Sequence, residues 1–296
     1  MQLDDLKIFV TTVDARNFTA AADRLQLSKQ FVSRRVMALE ASLGVRLLVR
    51  NTRKLAVTDL GYEFYERASR ILADVADAEQ AMSSQRAHPR GLLRVSAPLS
   101  FGVVHLSPLV GAFLSSNPEV RIDIELSDRV VDVVGEEYDM ALRIGTLADS
   151  TLIAQKLAEF RMIACCSPVY RSTRRLPMTP AELAGHPCLL YGEEARTGWA
   201  FDIDGAVRQI EVHGPLRANN GEVIRDAAIA GIGVALLPEF IVAGALASGQ
   251  LVALLESFAA PPITLHAVYP QHRQSSVTIR AFTQFLREQF ATALAA

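Results

Sequence analysis

The sequence predicts a mixed α/β protein in which a helical N-terminal segment precedes a larger region of alternating strands and helices. The chain has 296 residues, more than one ordinary domain needs. Apolar residues recur at helical spacing before His88, and short apolar runs alternate with helical stretches after Gly91. Half of the residues are hydrophobic, which is enough material for packed cores and is not typical of a disordered chain.

Charge is distributed unevenly along the chain. The formal net charge of −2 hides ten basic and five acidic residues over 1–58, a net +5, whereas the remainder carries 20 basic and 27 acidic residues, a net −7. Such asymmetry indicates that the basic segment binds nucleic acid or a membrane surface, unless it is only a solvated basic face.

Three helices are predicted in the basic segment. The first contains Leu3, Phe9 and Val13 and ends near Arg16-Asn17; Thr19 is a candidate N-cap for a short alanine-rich second helix. Ser28 is the N-cap of the third helix, and Gly44 ends it. Small residues that permit close helix crossing, followed by a tight turn, are typical of a helix-turn-helix.

Polar and basic side chains predict the DNA contacts. Arginine pairs with guanine, glutamine pairs with adenine, and hydroxyl groups bind bases or phosphates. Two short strands around the basic turn 50–54 predict a wing that reaches phosphates or a minor groove. The predicted DNA-binding residues are Thr19, Ser28, Lys29, Gln30, Ser33, Arg34, Arg35, Arg50, Arg53 and Lys54.

The segment resembles the LysR-type transcriptional regulators over about sixty residues. The resemblance is carried by Asn17-Phe18-Thr19-Ala20-Ala21-Ala22, Leu25, Leu27-Ser28, Val32-Ser33-Arg34, Leu39-Glu40, Leu43-Gly44, Leu47-Leu48, Arg50, Arg53 and Thr58-Asp59-Leu60-Gly61. The chain departs from the family pattern at Lys29-Gln30-Phe31 and at Leu48, which leaves the target sequence open. Phe31 either packs against the first helix, which we favour, or contacts a thymine methyl group.

A long helix is expected after the wing, because no Gly or Pro occurs over 62–88. At 1.5 Å per residue it would be roughly 40 Å long. Its apolar positions approximate a heptad seam, which favours pairing with a second copy over packing on its own domain. The seam comprises Leu60, Phe64, Ala68, Ile71, Val75, Ala78 and Met82. A dimer fits an inverted-repeat operator on double-stranded DNA.

The region after Gly91 reads as an α/β domain with parallel sheet. Predicted strands are 92–95, 121–126, 140–144, 162–166, 189–191, 234–237 and 265–269, with helical stretches between most of them. The apolar stretch 227–247 is broken by Gly231, Gly233 and Pro238-Glu239, so we do not expect it to span a membrane.

Ligands of such sheets bind at the carboxyl ends of strands, where helix N-termini attract anions. Two positions stand out, Ser100 after the first strand and Asn219 before the helix that ends at Ala230. Arg143 and Ile144 close the third strand, and Ser127 follows the second. Each of these residues has an alternative as a cap, an ion-pair partner or a packing residue. Arg143 and the helix N-termini favour a small carboxylate as ligand.

The resemblance to the LysR family continues through this region, in the branch of the CrgA-like regulators. It rests on Ala97-Pro98-Leu99-Ser100-Phe101-Gly102 and Ala141-Leu142-Arg143-Ile144-Gly145. It implies an effector-binding domain of the periplasmic-binding-protein kind, with subdomain one over 92–161 and 268–296 and subdomain two over 162–267. It also implies that Ser100, Ser127, Arg143 and the Trp199–Phe201 segment line an effector cleft, although Trp199 fits a rim or core position equally well. Together with the strand-end positions, the predicted effector-binding residues are Ser100, Phe101, Ser127, Arg143, Ile144, Trp199, Phe201 and Asn219.

The expected organisation is a winged helix-turn-helix domain over 1–58, a linker and dimerisation helix over 59–88 and an effector-binding domain over 89–296. The expected function is ligand-responsive DNA binding as a dimer. The family resemblance also implies a possible tetramer and contact with RNA polymerase.

Rival functions have weaker support. The chain has no dinucleotide fingerprint, phosphate-binding loop, nucleophile elbow or metal-ligand spacing, so we expect neither an enzyme nor a cofactor or metal. Met1-Gln2-Leu3-Asp4-Asp5-Leu6 does not resemble a signal peptide, which favours a cytoplasmic protein over a solute-binding protein. Redox control through Cys165, Cys166 or Cys188 is the remaining alternative, and buried cysteines are usually inert.

Overall fold

The structure is a computed structural model that describes residues 1–51, 54–82, 88–145, 147, 150–192 and 198–295. The side chains of 50–51, 54, 77, 80–82 and 292–295 also lie outside the description. The chain divides into two compact units. We call them the N-terminal unit, which is residues 1–92 with 119–121 and 275–278, and the C-terminal unit, which is the remainder.

The N-terminal unit begins with three helices, followed by a two-stranded wing and a long helix. These elements are α1 (Leu3–Ala15), α2 (Phe18–Leu25), α3 (Lys29–Leu43), β1 (Leu48–Asn51), β2 (Lys54–Val57) and α4 (Asp59–Met82). The strands pair antiparallel, with Leu48 opposite Val57. The winged helix-turn-helix predicted from the sequence is therefore confirmed.

Helix caps explain where these helices begin and end. The Ser28 hydroxyl accepts a hydrogen bond from the Phe31 amide at 3.2 Å, and Gly44 ends α3 in the left-handed conformation, both as predicted. The cap predicted at Thr19 is wrong: the Asn17 side chain accepts from the Thr19 amide at 2.7 Å, and Thr19 lies inside α2. The left-handed residue after α1 is Arg16 rather than Asn17.

The core of the N-terminal unit lies where α1, α2, α3 and the wing meet. Ala21 and Ala22 are almost completely buried, which lets α2 approach its neighbours closely. The Glu40 carboxylate accepts from the backbone amides of Leu47 and Leu48 at 2.9 and 3.0 Å, and so ties the wing to α3. The buried apolar residues are Ile8, Phe9, Val13, Ala21, Ala22, Val32, Val36, Leu39, Leu47 and Leu48.

Helix α4 extends for 24 residues, about 36 Å at the usual rise. The Thr58 hydroxyl accepts from the Gly61 amide at 2.9 Å and caps its start. Within the unit, α4 packs on α1 through Phe64, whose ring lies 5.4 Å from that of Phe9. Leu60 and Ile71 on the predicted seam are 52% and 44% exposed. Part of the seam is therefore open to a further partner.

The C-terminal unit contains a mixed sheet covered by helices. Its helices are α5 (Leu99–Phe101), which continues through a π-helical turn (Gly102–Leu106) into α6 (Ser107–Ser116), α7 (Pro168–Thr173), α8 (Gly221–Ile229), α9 (Glu239–Ala247) and α10 (Val277–Ala295). Its strands are β3 (Gly91–Ala97), β4 (Val120–Leu126), β5 (Met140–Ile144), β6 (Leu152–Cys166), β7 (Cys188–Tyr191), β8 (Gly198–Ile203), β9 (Ala206–Glu211), β10 (Leu216–Ala218), β11 (Val234–Pro238), β12 (Val252–Leu254) and β13 (Ala260–Pro270).

Two long strands connect the halves of this sheet. The order in the described part is β10-β7-β11-β6-β13-β5-β3-β4, with β12 on β6 and with β8–β9 as a separate hairpin. Strands β6 and β13 pair antiparallel, β6 continues into pairing with β11, and β13 pairs with β5. The predicted parallel arrangement holds for β3–β5 and for β10–β7–β11. It also holds for β3–β4, because the Gly91 amide donates to the Glu119 carbonyl and the Ser127 amide donates to the Ala97 carbonyl. The prediction of parallel strands is wrong for the centre of the sheet, because β6 and β13 run there in opposite directions.

Two apolar stretches raise the question of a membrane span. Residues 227–247 form the end of α8, strand β11 and α9 rather than one helix. Among the described residues, the helical stretch Leu99–Ser116 alone is long and apolar enough to cross a membrane by length and composition. Core helices meet the same criterion, and here Phe101, Leu106 and Phe113 are buried in the protein interior.

A buried ion pair stabilises the C-terminal unit. The Arg273 Nη2 atom lies 2.8 Å from Oδ1 of Asp139, and the two side chains are only 6% and 8% exposed. The other carboxylate oxygen of Asp139 accepts from the Arg94 amide at 2.9 Å. The pair therefore joins the turn after β13 to the start of β5 and to β3.

We predict that Arg273→Met lowers the free energy of unfolding by about 3–5 kcal/mol, because it leaves the Asp139 carboxylate buried without its cation. The matched control is Arg161→Met, which breaks the exposed Arg161–Glu239 pair and should cost about 0–1 kcal/mol. Urea unfolding followed by circular dichroism measures both variants. Equal small losses would show that the Asp139 pair contributes no more than a surface pair.

Candidate functional site

The first turns of α3 present a polar and basic surface. Lys29, Gln30 and Arg34 are exposed, and Ser33 is half-buried on the same helix. The Arg34 guanidinium lies over the Phe31 ring, 5.7 Å from its centroid. Phe31 is half-buried against the core, which agrees with the packing alternative. This stacking holds Arg34 at the surface, where its donors can reach a base edge or a phosphate.

Arg35 has a different environment from Arg34. Its Nη2 atom lies 2.5 Å from Oδ1 of Asp5 and donates to Oε1 of Gln2 at 3.2 Å. The structure therefore holds Arg35 against the start of α1. Its predicted contact with DNA stays a prediction.

The wing residues are less fully described. Arg53 and the side chains of Arg50 and Lys54 lie outside the described residues. Strands β1 and β2 pair antiparallel, with Asn51 opposite Lys54. The phosphate contacts predicted for these three cations stay predictions.

A second cluster joins two distant parts of the C-terminal unit. We call Ser100, Asp128, Tyr191, Asn220 and Glu222 the Ser100 cluster. The Ser100 hydroxyl donates to the Glu222 carboxylate and accepts from Nδ2 of Asn220 at 3.3 Å. Ser100 is 8% exposed and lies in α5, whereas Asn220 and Glu222 cap and open α8. The cluster therefore connects the helix after β3 with the helix after β10.

Carboxylates dominate the electrostatics of the Ser100 cluster. Asp128 accepts from the Leu99 amide at 2.9 Å, at the beginning of α5. Loss of solvation is the larger cause that raises the pKa of Tyr191 to about 12, and the negative charges of Asp128 and Glu222 act in the same direction. Tyr191 is therefore a neutral hydrogen-bond donor near neutral pH.

A third group of side chains surrounds Arg143 at the end of β5. We call Ser127, Arg129, Glu136 and Arg143 the Arg143 cluster. Nη1 of Arg143 donates to the Arg129 backbone carbonyl at 3.2 Å, whereas Nη2 is buried and has no hydrogen-bond partner among the described residues. Arg129 donates to Glu136 at 2.7 Å through Nη1, and again through Nη2. The Ser127 hydroxyl accepts from the Arg129 amide at 3.4 Å.

Burial is the larger cause that lowers the pKa of Arg143, and the positive charge of Arg129 is the next. Glu136 is bonded to Arg129, and its pKa falls to about 2, chiefly because of that bond. The Glu136 carboxylate is thus paired with the Arg129 guanidinium. Nη2 of Arg143 remains as a buried donor from which an anion can accept a hydrogen bond.

Several predicted effector residues lie elsewhere. Phe101 is fully buried among the rings of His105, Phe160, Phe240 and Phe290, and Ile144 pairs with Leu265 in the sheet. Trp199 and Phe201 lie on β8 and are 8% and 1% exposed, because they pack into the core, which matches the core alternative for Trp199. Asn219 is exposed, and its neighbour Asn220 makes the contact with Ser100 instead. A role of these residues toward an effector stays a prediction.

Sequence reasoning left Asp128, Tyr191, Asn220 and Glu222 out of the candidate site. The segment Asn219-Asn220-Gly221-Glu222 did signal a helix start, but two consecutive asparagines give no indication of which one forms the cap. The short contact of Glu222 with Ser100 joins residues 122 positions apart, and no local pattern predicts such a contact.

The three cysteines are fully buried and unpaired. Loss of solvation raises the pKa of Cys165 and Cys188 to about 12 and that of Cys166 to about 11. Thiols of this kind are poor nucleophiles, so the redox alternative is not better supported than effector control. The described residues hold no group of three or more His, Cys, Asp or Glu side chains that could bind a metal ion.

Comparison with known proteins identifies the class of protein. Residues 3–62 match the family described as bacterial regulatory helix-turn-helix protein, lysR family, and residues 86–291 match the LysR substrate binding domain. The chain belongs to the LysR family of transcriptional regulators, and it is an effector-responsive DNA-binding regulator. The resemblance predicted from the sequence is confirmed.

Particular relatives cover almost the whole chain. It is 34% identical over 294 residues to the HTH-type transcriptional regulator CrgA of Neisseria meningitidis serogroup C, which covers 98% of each chain. It is 35% identical over 293 residues to the regulator PtxR of Pseudomonas aeruginosa, covering 97% of this chain and 93% of the relative. The solved structure of CrgA from Neisseria meningitidis is similar with a TM-score of 0.61, at 32% identity and over 98% and 99% of the two chains. These relatives are transcriptional regulators rather than enzymes.

We predict that Arg34→Ala weakens binding to the preferred operator by about 1–3 kcal/mol and relaxes the preference at one base position, because we expect the exposed side chain to read a base edge. A gel-shift titration over a set of single-base operator variants measures both effects. Arg67→Ala, on the exposed surface of α4 where Arg67 pairs with Glu63, is the control and should leave operator affinity unchanged. Full affinity and unchanged base preference in Arg34→Ala would contradict the assignment.

Proposed function

We propose that this regulator binds an inverted-repeat operator as a dimer and that a small anionic effector, bound in the C-terminal unit, controls its DNA binding. The single observation that supports the effector chemistry best is the buried Nη2 of Arg143, which has no hydrogen-bond partner among the described residues. A buried guanidinium donor without an acceptor is costly unless a ligand supplies one. A carboxylate supplies both an acceptor and a negative charge to this guanidinium, so we propose a carboxylate as the effector.

The proposed effector site is lined by the Ser100 cluster and the Arg143 cluster. Asp128 and Arg129 are consecutive, so one loop after β4 contributes to both clusters. The loop lies at the carboxyl end of a strand, as is usual for ligand sites in α/β sheets. Ser100, Ser127 and Arg143 keep the roles predicted from the sequence, and Asn220 takes the place of Asn219.

The proposed DNA site consists of the exposed first turns of α3 together with the wing. Gln30 and Arg34 are the principal candidates for base contacts, and Thr19, Ser28, Lys29 and Ser33 for phosphate or secondary contacts. Contact with RNA polymerase, a tetrameric assembly and a cytoplasmic location belong to the proposal through family membership.

We predict that in vitro selection with the full-length chain yields an inverted repeat, because a two-fold protein dimer presents two α3 helices. Binding to the selected sequence should weaken steeply as salt rises, because each neutralised phosphate releases counterions. Fluorescence anisotropy at several salt concentrations gives the slope. A slope near zero, or a selected site without two-fold symmetry, would contradict the proposal.

We predict that Ile71→Asp shifts the chain from dimer to monomer, because it places a charge in the middle of the exposed apolar seam on α4. The matched variant Ile71→Leu keeps an apolar side chain and should remain dimeric. Light scattering coupled to size-exclusion chromatography distinguishes the two masses. A dimer that persists in Ile71→Asp at low micromolar concentration would show that α4 does not supply the interface.

A further inference from the structure

The helix ends near the Ser100 cluster are already occupied by the chain's own side chains. The Leu99 amide donates to Asp128 at 2.9 Å, and the Val223 amide of α8 donates to Asn220 at 3.2 Å. Glu222 in the first turn of α8 adds a carboxylate where the helix dipole favours negative charge. An effector anion therefore competes with groups that the protein already provides at these positions.

The local charge also disfavours an anion beside Ser100. Asp128 accepts from the Leu99 amide and Glu222 accepts from the Ser100 hydroxyl, so the two carboxylates bind consecutive residues of α5. The nearby cation Arg129 is held by Glu136, and Arg225 on α8 pairs with Asp226 at 2.8 Å. A further carboxylate would meet like charge there, whereas a hydrogen-bond donor would meet two strong acceptors.

The Arg143 cluster offers the opposite chemistry. Its buried Nη2 donor has no partner among the residues that the structure describes, and the Arg129 cation next to it disfavours a second positive charge. An acceptor, above all a carboxylate, suits this end. The two clusters thus demand different groups from one ligand.

We propose that the effector is a small organic acid with two distinct ends: a carboxylate that binds Arg143 and a hydrogen-bond donor, either a hydroxyl or a protonated amine, that binds Glu222 and Asp128. This inference rests on the proposed function of the two clusters. The donor replaces the Ser100 hydroxyl on Glu222, so binding exchanges the Ser100–Glu222 contact between the helix after β3 and the helix after β10 for contacts through the ligand. Acids that lack the donor leave the Ser100–Glu222 contact in place and form no bond with Glu222 or Asp128, so they bind more weakly.

Matched acids that differ in one group test this selectivity. The first series is butyrate, 4-hydroxybutyrate and 4-aminobutyrate, and the second is hexanoate, 6-hydroxyhexanoate and 6-aminohexanoate, so that two spans are sampled. Calorimetric titration and thermal shift of the full-length chain compare the members of each series. We expect the donor-bearing acid of at least one length to bind about tenfold or more tightly than its parent acid, as for a hydrogen bond to a charged group. The hydroxy and amino compounds distinguish the two sources of the donor.

Variants assign the selectivity to residues. Glu222→Gln should remove the preference for the amino compound and reduce that for the hydroxy compound, whereas Glu239→Gln, an exposed glutamate paired with Arg161, is the matched control and should change neither. Arg143→Gln should weaken every acid in both series. Parent acids that bind as well as donor-bearing acids at both lengths, an absence of binding by all six compounds, or an unchanged preference in Glu222→Gln would overturn the inference.

The experiments distinguish failure of the inference about the donor from failure of the proposed function. Operator binding by the same preparations is measured by anisotropy without any acid, so failure of DNA recognition appears there. If parent acids bind and Arg143→Gln weakens them while the donor makes no difference, the proposed anion site stands and the inference about the donor fails. If acids bind with full affinity to Arg143→Gln, the proposed anion site itself fails.

Discussion

The antiparallel pairing of β6 with β13 holds both halves of the C-terminal unit in one sheet. Strand β6 pairs with β13 over Leu152–Phe160 and then with β11 over Met162–Cys165, while β13 continues beside β5. Each half contributes its own short parallel strands, so the two crossing strands are the covalent and hydrogen-bonded connection between the halves. The side chains that meet between the halves, Ser100 and Glu222, are placed by helices that follow strands on opposite sides of this crossing.

The loop after β4 places opposite charges on the two sides of the proposed effector site. The loop after β4 carries Asp128 and Arg129 in consecutive positions, and the two side chains serve different clusters. Asp128 binds the Leu99 amide beside the Ser100–Glu222 contact, whereas the Arg129 backbone carbonyl accepts from Arg143. The proposed effector site therefore has a negative and a positive end, and we expect a ligand with matching ends to satisfy both without burying an unpaired charge.

Local sequence signals predict most of the helices in the N-terminal unit. The cap at Ser28, the stop at Gly44 and the buried stripe of Val32, Val36 and Leu39 are short-range features, and sequence periodicity is sufficient to predict them. The cap of α2 shows the limit, because Asn17 and Thr19 are both good caps and only the backbone geometry decides between them.

Long-range features of the C-terminal unit were not predictable in the same way. The direction of β6 and β13 depends on how the chain crosses between halves, and a strand pattern carries no information on its partner. The Ser100–Glu222 contact likewise depends on tertiary structure. Trp199 and Phe201 were expected at a ligand because of the family resemblance, yet they lie on β8 and pack into the core. Burial of a large aromatic side chain decides such a position, and sequence alone does not reveal it.

The thermodynamic coupling between effector and operator is the most direct test of whether ligand binding at Arg143 controls DNA binding. The affinity of the chain for its selected operator is measured with and without a saturating acid, and the affinity for that acid is measured with and without operator. We predict that the acid changes operator affinity by the same ratio as the operator changes acid affinity, that this ratio differs from one, and that it equals one when Arg143 is replaced by Gln. A ratio of one in the unmodified chain, with an acid that binds through Arg143, would contradict the claim that ligand binding at this site controls DNA binding.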